Sequence, residues 1–367
     1  MRYPFWDSCA MIKKNGGGIC MCNIAGYVGS KQAAPILIEM MKKQEGFNAG
    51  YYTGLATIHD GKIHMDKVIG DVDILLEQTD CAGFPGTTGF IHSRSKSGGS
   101  VEWGHPFMGT GERIAYIANG TSGVFKEASA EALRQTYTDL LSKGYVMRSR
   151  EEAPVGSYTV MPDGAGVHGS DLVCQSIACY VDEGDSSVSA IEKTLTKLTG
   201  EVIGLVLNRE EPDRISYGRI NFPMFVGFAD HGAYLSSTPH AFPEDVRSYK
   251  ALNVISCGEV YADRLVEKPF AKSIPITETT PVHYRDCYDA LCKAISQKEM
   301  TCEEIDEVLL DIMGRTLCCA YPQVQYEILW ELWQQGRLNI QVYRVKGAIP
   351  ELTAPQFRMS LKECVYV

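Results

Sequence analysis

The chain of 367 residues lacks a run of about 18 to 20 apolar residues, which a membrane-spanning helix requires. Its first residues, MRYPFWDSCAMIKKNGGGI, lack the apolar core of a secretory signal peptide. Neither export nor membrane insertion is indicated, so the expected location is the cytoplasm.

The cysteines also lack a recognisable pattern. There are 13 of them, scattered along the chain, and no two form a C-x-x-C pair. This disfavours a disulfide framework or a zinc knuckle, and no metal or cofactor is predicted. The formal net charge of -10 argues against binding nucleic acid or anionic membrane through bulk charge.

Short strands, glycine turns and helices alternate from Cys22 to about Lys268, which favours a mixed layered fold. Asp60-Gly61, between two apolar runs, is a strong hairpin signal. The segment from about Arg148 to His168 has the composition of an inserted loop. Helices are predicted at about Ala33 to Lys43, Ser129 to Lys143, Asp171 to Tyr180 and Ser187 to Leu198.

The character changes after Lys268, where the linker-like stretch SIPITETTP begins. Three helices and two strand-like runs follow, the outline of a winged helix. The helices are predicted at Tyr284 to Lys298, Thr301 to Met313 with Thr301 as N-cap, and Pro322 to Gln335. The expected division is a leader or upstream extension over 1–21, a first domain over 22–268 and a C-terminal domain over 269–367.

The C-terminal domain is slightly acidic, with ten Lys and Arg against thirteen Asp and Glu from Ala271 onward. This balance disfavours DNA as its ligand despite the winged-helix outline. Ile328, Leu329, Leu332 and Trp333 fall on one helical face. We expect that face to dock on the first domain or on a second copy of the chain, as in a homodimer; a partner protein and nucleic acid are the less favoured ligands.

Several short motifs occur in a fixed order and resemble those of the class II glutamine amidotransferases, above all the glutaminase half of glucosamine-fructose-6-phosphate aminotransferases. They are CNIAGYVGS from Cys22, HSR at His92 to Arg94, IANG at Ile117 to Gly120, SD at Ser170-Asp171, and NFPMFVGFADHGAYLSSTPHAF. The resemblance covers Cys22 to about Lys268. It implies an α+β fold, the four-layer αββα sandwich of N-terminal-nucleophile hydrolases, to which the winged-helix-like extension is added.

The resemblance implies that Cys22, exposed as the first residue, attacks the amide of glutamine or a γ-glutamyl compound, releases ammonia and forms a thioester. The amine of the same residue serves as the base, since its pKa lies near neutrality. The Asn119 side-chain amide and the Gly120 backbone N–H fit the oxyanion hole. Arg94 fits the substrate carboxylate and Asp171 the substrate ammonium.

Each of these residues also has an ordinary structural explanation. Cys22 would by itself be a buried small hydrophobe, and Cys20 is a competing nucleophile. Arg94 would be solvated or ion-paired. Asn119-Gly120 would form a type I′ hairpin turn, and Asp171 would cap the helix that follows it.

The chain departs from the family pattern near these motifs, which leaves a non-glutamine substrate or a weakened enzyme open. Asn23 stands where the family has glycine, which limits backbone freedom at the nucleophile, and Ser95 replaces an aromatic residue of the lid. Ala118 replaces histidine, and Leu172 and Val173 replace Thr-Glu.

Two classes of function therefore remain. One is an amidohydrolase, free-standing or supplying ammonia to a separate synthase subunit, because no synthase domain is recognisable on this chain. The other is a catalytically silent amino-acid-binding or regulatory module. An active enzyme is expected to begin at Cys22, either through self-removal of a leader or through translation from Met21 followed by methionine removal.

Overall fold

A computed structural model describes residues 22–96, 98–121, 126–156, 158–272, 284–313 and 321–362. The expected leader over 1–21 lies outside the described residues. None of the helices in these ranges combines the length and hydropathy needed to span a membrane.

Two antiparallel sheets form the centre of the first domain. The larger contains β1 (Asn23–Gly29), β2 (Tyr52–His59), β3 (Lys62–Ile69), β4 (Thr88–Arg94), β11 (Phe225–Ala229), β12 (Gly232–Ser236) and β13 (Ser248–Ala251). The smaller contains β5 (Phe107–Met108), β6 (Ile114–Thr121), β9 (Glu201–Asn208), β10 (Arg214–Ile220), β14 (Ile255–Tyr261) and β15 (Leu265–Pro269). In the described ranges their strand orders are β13-β11-β12-β1-β4-β2-β3 and β15-β14-β10-β9-β6-β5.

Helices cover the outer faces of both sheets. Helices α1 (Ala33–Lys42) and α2 (Val72–Gln78) pack on the larger sheet. On the smaller sheet lie α4 (Gly169–Asp182) and α5 (Ser187–Lys197), with α3 (Lys126–Ser142) against α4. Strands β1 and β4 contact β6 and β10 across the gap between the sheets. The predicted order of helix, sheet, sheet and helix is confirmed.

Successive side chains of β6 point to opposite faces of the smaller sheet, so this strand contributes to two apolar cores. Ile114 and Tyr116 belong to the apolar core beneath α4 and α5. Ala115 and Ile117 belong to the core between the sheets. By the same alternation, Asn119 faces the larger sheet, where β1 begins.

The turn and loop predicted from sequence in this domain are present in the structure. Asp60 and Gly61 connect β2 to β3 with φ angles of 47° and 67°, as a type I′ turn requires. Between Arg148 and His168 the described residues contain two short paired strands, β7 (Glu151–Glu152) and β8 (Ala165–Gly166), and otherwise loop.

The C-terminal part contains α6 (Tyr284–Gln297), α7 (Cys302–Met313) and α8 (Tyr321–Gln334), followed by the antiparallel strands β16 (Leu338–Lys346) and β17 (Thr353–Leu361). Thr301 caps α7 as predicted. Its hydroxyl accepts the Glu304 N–H at 3.3 Å, while the Glu304 carboxylate accepts the Thr301 N–H at 2.9 Å. This reciprocal pair is a capping box.

The C-terminal part packs on the first domain, which is one of the two dockings expected for it. On the predicted face, Ile328, Leu329 and Leu332 are buried, but Trp333 is 48% exposed.

The Phe357 ring stands edge-on to Phe47 with ring centroids 4.8 Å apart, and the Phe357 N–H donates to the Gly46 carbonyl at 2.8 Å. Arg344 pairs with the buried Asp71 at 2.6 Å. The winged-helix likeness and the domain boundaries stay predictions.

Candidate active site

Cys22 lies at the start of β1, and Asn119 at the end of β6 holds its backbone. The Asn119 Oδ1 accepts the Cys22 N–H at 3.2 Å, and the Asn119 Nδ2 donates to the Cys22 carbonyl at 2.5 Å. An amide nitrogen carries two hydrogens, so Nδ2 retains one for another acceptor. Cys22 and Asn119, separated by 97 residues, thus form one unit.

The Cys22 thiol faces Ser95. The Ser95 N–H donates to Sγ at 3.5 Å, and the Ser95 hydroxyl lies 3.7 Å from the same sulfur. Burial raises the pKa of the Cys22 thiol above its usual value, while the Ser95 hydrogen bonds and the charge of Arg94 act in the opposite direction. The sulfur therefore needs a base to become a thiolate at neutral pH.

Arg94 ends β4 directly before Ser95 and is almost fully buried, with 1% of its surface exposed. Its guanidinium donates to the Trp103 carbonyl at 2.8 Å and to the Tyr158 hydroxyl oxygen at 3.3 Å. It also lies over the Tyr52 ring at 4.7 Å. These contacts fix the position of the guanidinium, whose charge acts on the Cys22 thiol, and the contact with a substrate carboxylate stays a prediction.

Three buried histidines, His92, His105 and His168, line the wall behind Arg94. The rings of His92 and His105 are 4.0 Å apart, and those of His105 and His168 are 5.3 Å apart. Burial lowers the pKa of His92 to about 3, and it lowers the pKa values of His105 and His168 well below the usual value. All three are neutral at pH 7. Among the described residues, no group of three or more His, Cys, Asp or Glu is arranged to hold a metal ion.

Hydrogen bonds fix the tautomers of two of these histidines. The His92 Nε2 lies 2.9 Å from the Ala118 carbonyl, which only accepts, so it carries the proton. The His168 Nδ1 accepts from the Ser170 N–H at 3.1 Å, so the His168 Nε2 donates to the Tyr158 oxygen at 3.1 Å. That oxygen also accepts from Arg94, which leaves the Tyr158 hydrogen for a third group.

Asp171 occupies the first turn of α4, and the alternative explanation of it as the cap of this helix is wrong. The N-cap is His168, through its contact with the Ser170 N–H. Asp171 is fully buried. Its Oδ2 accepts from the Ser149 N–H and hydroxyl, both at 2.8 Å, and its Oδ1 accepts from Gln175 at 3.0 Å. Because the carboxylate has no exposed surface, pairing with a substrate ammonium would require a rearrangement, and this role stays a prediction.

Gly120 follows Asn119 within β6, opposite Val202, so the hairpin-turn explanation of Asn119-Gly120 is wrong. Its φ of 118° is unfavourable for residues with a Cβ, and a Cβ here would lie 2.2 Å from the Glu201 carbonyl. Only glycine fits. Its role in an oxyanion hole stays a prediction.

Asn23 follows the nucleophile and stands where the family has glycine. Its side chain is accommodated by a second set of polar contacts. Its side-chain amide donates to the Gln44 carbonyl, and Gln44 in turn donates to the Ile24 carbonyl at 3.1 Å. The Ile24 N–H donates to the Ser237 hydroxyl at 3.0 Å. Gln44 and Ser237 hold the start of β1. Ser237 lies in the last of the family-like motifs, although no role was predicted for it, and Gln44 lies in none of the motifs.

The chain has curated relatives, although no family model matches it. A glutamine–fructose-6-phosphate aminotransferase of Methanococcus maripaludis is 29% identical over 240 residues, which cover 64% of this chain and 36% of the relative. The corresponding enzyme of Pyrococcus horikoshii is 26% identical over 226 residues, 60% of this chain and 33% of the relative.

Two solved structures share the architecture. A glutamine phosphoribosylpyrophosphate amidotransferase from B. subtilis matches with a TM-score of 0.52 at 15% identity, over 69% of this chain and 50% of that one. A structure described as the allosteric regulatory enzyme of purine biosynthesis matches with a TM-score of 0.53 at 16% identity, with the same coverage.

The chain resembles class II glutamine amidotransferases in sequence and in fold. The amidotransferase-like part shares its layered α+β fold with these two solved structures, as predicted. The chain spans about a third of the length of the curated relatives that it matches, so their whole activities do not transfer to it directly.

Proposed function

We propose that this protein is an amidohydrolase that uses Cys22 as an N-terminal nucleophile to release ammonia from glutamine or a γ-glutamyl amide. The observation that carries the proposal is the contact of Asn119 with both backbone groups of Cys22, together with Ser95 at the thiol. A structural cysteine would not require both features.

The base in this mechanism is the amine of Cys22 itself. The neighbouring histidines are poor candidates, because burial lowers their pKa values and so makes them weak bases. A free α-amine has a pKa of about 7.7–8.0, close to working pH. The Asn119 Oδ1, 3.2 Å from the Cys22 nitrogen, would orient this amine.

The reaction has two stages. The amine takes the thiol proton, Sγ attacks the amide carbon, and the C–N bond breaks as ammonia leaves with that proton. Water then cleaves the thioester, which gives the acid and restores the thiol. The second Asn119 Nδ2 hydrogen and the Gly120 N–H are the proposed donors to the oxyanion of each tetrahedral intermediate.

The amine mechanism requires that Cys22 be the first residue of the active protein. An acylated nitrogen cannot take up the thiol proton. We therefore propose that residues 1–21 are absent from the active form, through self-removal of a leader or through translation from Met21 and methionine removal.

Substrate recognition is assigned to Arg94 and Asp171. The Arg94 guanidinium, held by Trp103 and Tyr158 beside the thiol, supplies positive charge for the substrate carboxylate. Asp171 would take the substrate ammonium after exchanging one of its present hydrogen bonds. The curated relatives are aminotransferases, so we propose that the ammonia passes to a separate synthase subunit or is released.

A glutaminase assay tests the proposal. Ammonia and glutamate release should be measured for protein that begins at Met-Cys22, for Cys22→Ala, and for Cys292→Ala as a control at another half-buried cysteine. We expect activity in the first and third proteins and none in the second. Glutamine binding without ammonia release by correctly processed protein would favour the silent binding module.

A further inference from the structure

Helices α7 and α8 bury a group of polar atoms that have no partner among the described residues. Asp306, Gln325 and Tyr326 expose 1%, 0% and 1% of their surfaces. Within the described ranges, neither Asp306 carboxyl oxygen, nor the Gln325 Oε1, nor the Tyr326 hydroxyl has a hydrogen-bond partner. Buried polar groups are nearly always hydrogen-bonded, so four such atoms on adjoining helices indicate that a ligand belongs there.

A contact between the two helices lies beside these atoms. The Gln325 Nε2 donates to the Cys302 carbonyl at 3.2 Å, and Cys302 lies one turn before Asp306 on α7. Gln325 and Tyr326 are neighbours on α8. The Tyr326 ring packs edge-on against Phe47 of the first domain at 5.6 Å, so the group lies where the C-terminal helices meet the amidotransferase-like part.

The Tyr326 phenol interacts electrostatically with other groups. Burial raises the pKa of the Tyr326 hydroxyl well above its usual value, and Cys302, Asp306 and Cys22 add to the increase through their charges. The phenol is therefore within electrostatic range of both Asp306 and the Cys22 thiol.

The hydrogen-bonding capacity of these atoms indicates which ligand fits. The carboxyl and the amide oxygen are acceptors, and the phenol oxygen can also accept. Ammonium and primary alkylammonium groups are small cations that carry only donors, so they match such a set. A buried carboxylate without a counterion is costly, and burial raises the pKa of Asp306 well above its usual value, with Glu303 and Glu307 adding to the increase. A cation at this position would allow Asp306 to ionise.

We propose that Asp306, Gln325 and Tyr326 form a binding site for ammonium or for the ammonium group of a primary amine. The origin of this ligand rests on the proposed function. It would be ammonia released from glutamine at Cys22, or an amine that enters the protein to accept the γ-glutamyl group. In the second case the bound ammonium first gives one proton to water, and the neutral amine nitrogen then attacks the thioester carbon. The C–S bond breaks, and a second proton of that nitrogen passes to the Cys22 sulfur.

Binding is tested on Cys22→Ala protein, which does not depend on turnover. Thermal unfolding should be followed in ammonium or methylammonium chloride, and in potassium or tetramethylammonium chloride at equal ionic strength. We expect ammonium and methylammonium alone to raise the midpoint, because tetramethylammonium has no N–H group. Asp306→Asn should weaken the apparent affinity about tenfold, which corresponds to about 1.4 kcal/mol.

Asp311→Asn is the matched control, since Asp311 is exposed on the same helix, and it should respond like the parent. If Asp306→Asn does not fold, Tyr326→Phe, which removes only the hydroxyl, takes its place and should also weaken the response. Equal midpoints in ammonium and potassium, or an unchanged response of the variant, would overturn the proposal and leave water as the ligand.

The source of the nitrogen is decided with the active protein and glutamine in the presence of methylamine. Formation of γ-glutamyl methylamide supports a site for amine substrates, whereas glutamate alone supports a site for released ammonia. If neither product forms, the proposed function fails. The binding proposal is then judged separately, from the thermal unfolding of Cys22→Ala protein.

Discussion

Asn119 binds both backbone groups of Cys22 and so joins the end of β6 to the start of β1. The contacts are 3.2 Å from the Cys22 nitrogen to Oδ1 and 2.5 Å from Nδ2 to the Cys22 carbonyl. The amine that would act as base and the amide that would stabilise the oxyanion therefore occupy one rigid arrangement across the two sheets. A small displacement of either strand would disturb both.

Asn119→Ala should reduce kcat about 10²–10³-fold with little change in KM, because the donor acts when charge develops. Asn208→Ala is the matched control, since Asn208 is a buried asparagine in β9 that bonds Ser187, near the opposite end of β6 from Asn119. The control substitution should lower the free energy of unfolding and leave kcat and KM unchanged. A pure increase in KM for Asn119→Ala would refute the oxyanion role.

Arg94→Lys should raise the half-saturating glutamine concentration about tenfold or more, because a point charge cannot reproduce the fork held by Trp103 and Tyr158. Arg219→Lys is the control, as Arg219 is equally buried but bonds the Phe222 and Leu252 carbonyls. Equal binding of a glutamine analogue by Arg94→Lys and the parent would contradict the carboxylate role.

Arg94→Gln provides a separate test through the thiol. The positive charge of Arg94 favours the thiolate, so its loss should raise the pKa of Cys22 further. The pH dependence of Cys22 alkylation should shift upward in Arg94→Gln and remain nearly unchanged in Arg94→Lys, which keeps the charge. A shift of the same size in both variants would show that the charge is not the cause.

Local sequence rules predicted most of the fold. Apolar periodicity and turn residues placed seven of the described helices to within a few residues, but the short helix α2 (Val72–Gln78) was not predicted. Thr301 was recognisable because Glu304 completes its capping box.

The roles of Asn119-Gly120 as a turn and of Asp171 as a cap were wrong for one reason. Asn-Gly favours a turn and Asp favours an N-cap when only local sequence is considered. In the structure, Asn119 and Gly120 are instead paired with β9, and His168 occupies the N-cap position.

The site was only partly predictable. Cys22, Arg94 and Asn119 were found because they lie in ordered motifs, and the structure brings them together. His105, Tyr158 and Gln44 were missed because their proximity arises from chain segments far apart in sequence. The engagement of both Asp171 oxygens by Ser149 and Gln175 likewise depends on tertiary packing, which no local pattern records.

Stability should fall as the pH rises because of Glu45. Burial raises the pKa of this carboxyl from 4.5 to about 8, with Asp71 and Asp73 adding to the increase and the Val72 N–H and Arg344 opposing it. The folded state therefore holds a proton that the unfolded state has lost. The contribution is complete below about pH 4.5 and declines as the pH rises toward 8. Urea unfolding across this range should show a smaller decline in Glu45→Gln, and an identical decline would exclude Glu45 as the cause.

Phe357→Ala should reduce the free energy of unfolding by about 3–5 kcal/mol, because its ring fills the contact with Phe47 between the C-terminal ribbon and the first domain. Val342→Ala, at a side chain that is 63% exposed on the same ribbon, should change it little. Urea unfolding measures both variants. Equal stabilities would show that the ribbon does not stabilise the first domain.

The central claim is that Cys22 is the nucleophile and the first residue of the active protein. The most direct measurement treats active protein with an electrophilic glutamine analogue, digests it, and locates the adduct by mass spectrometry. The account predicts one adduct, on Cys22, in a peptide whose first residue is Cys22. An adduct on another cysteine, or on Cys22 in active protein that still carries residues 1–21, would contradict it.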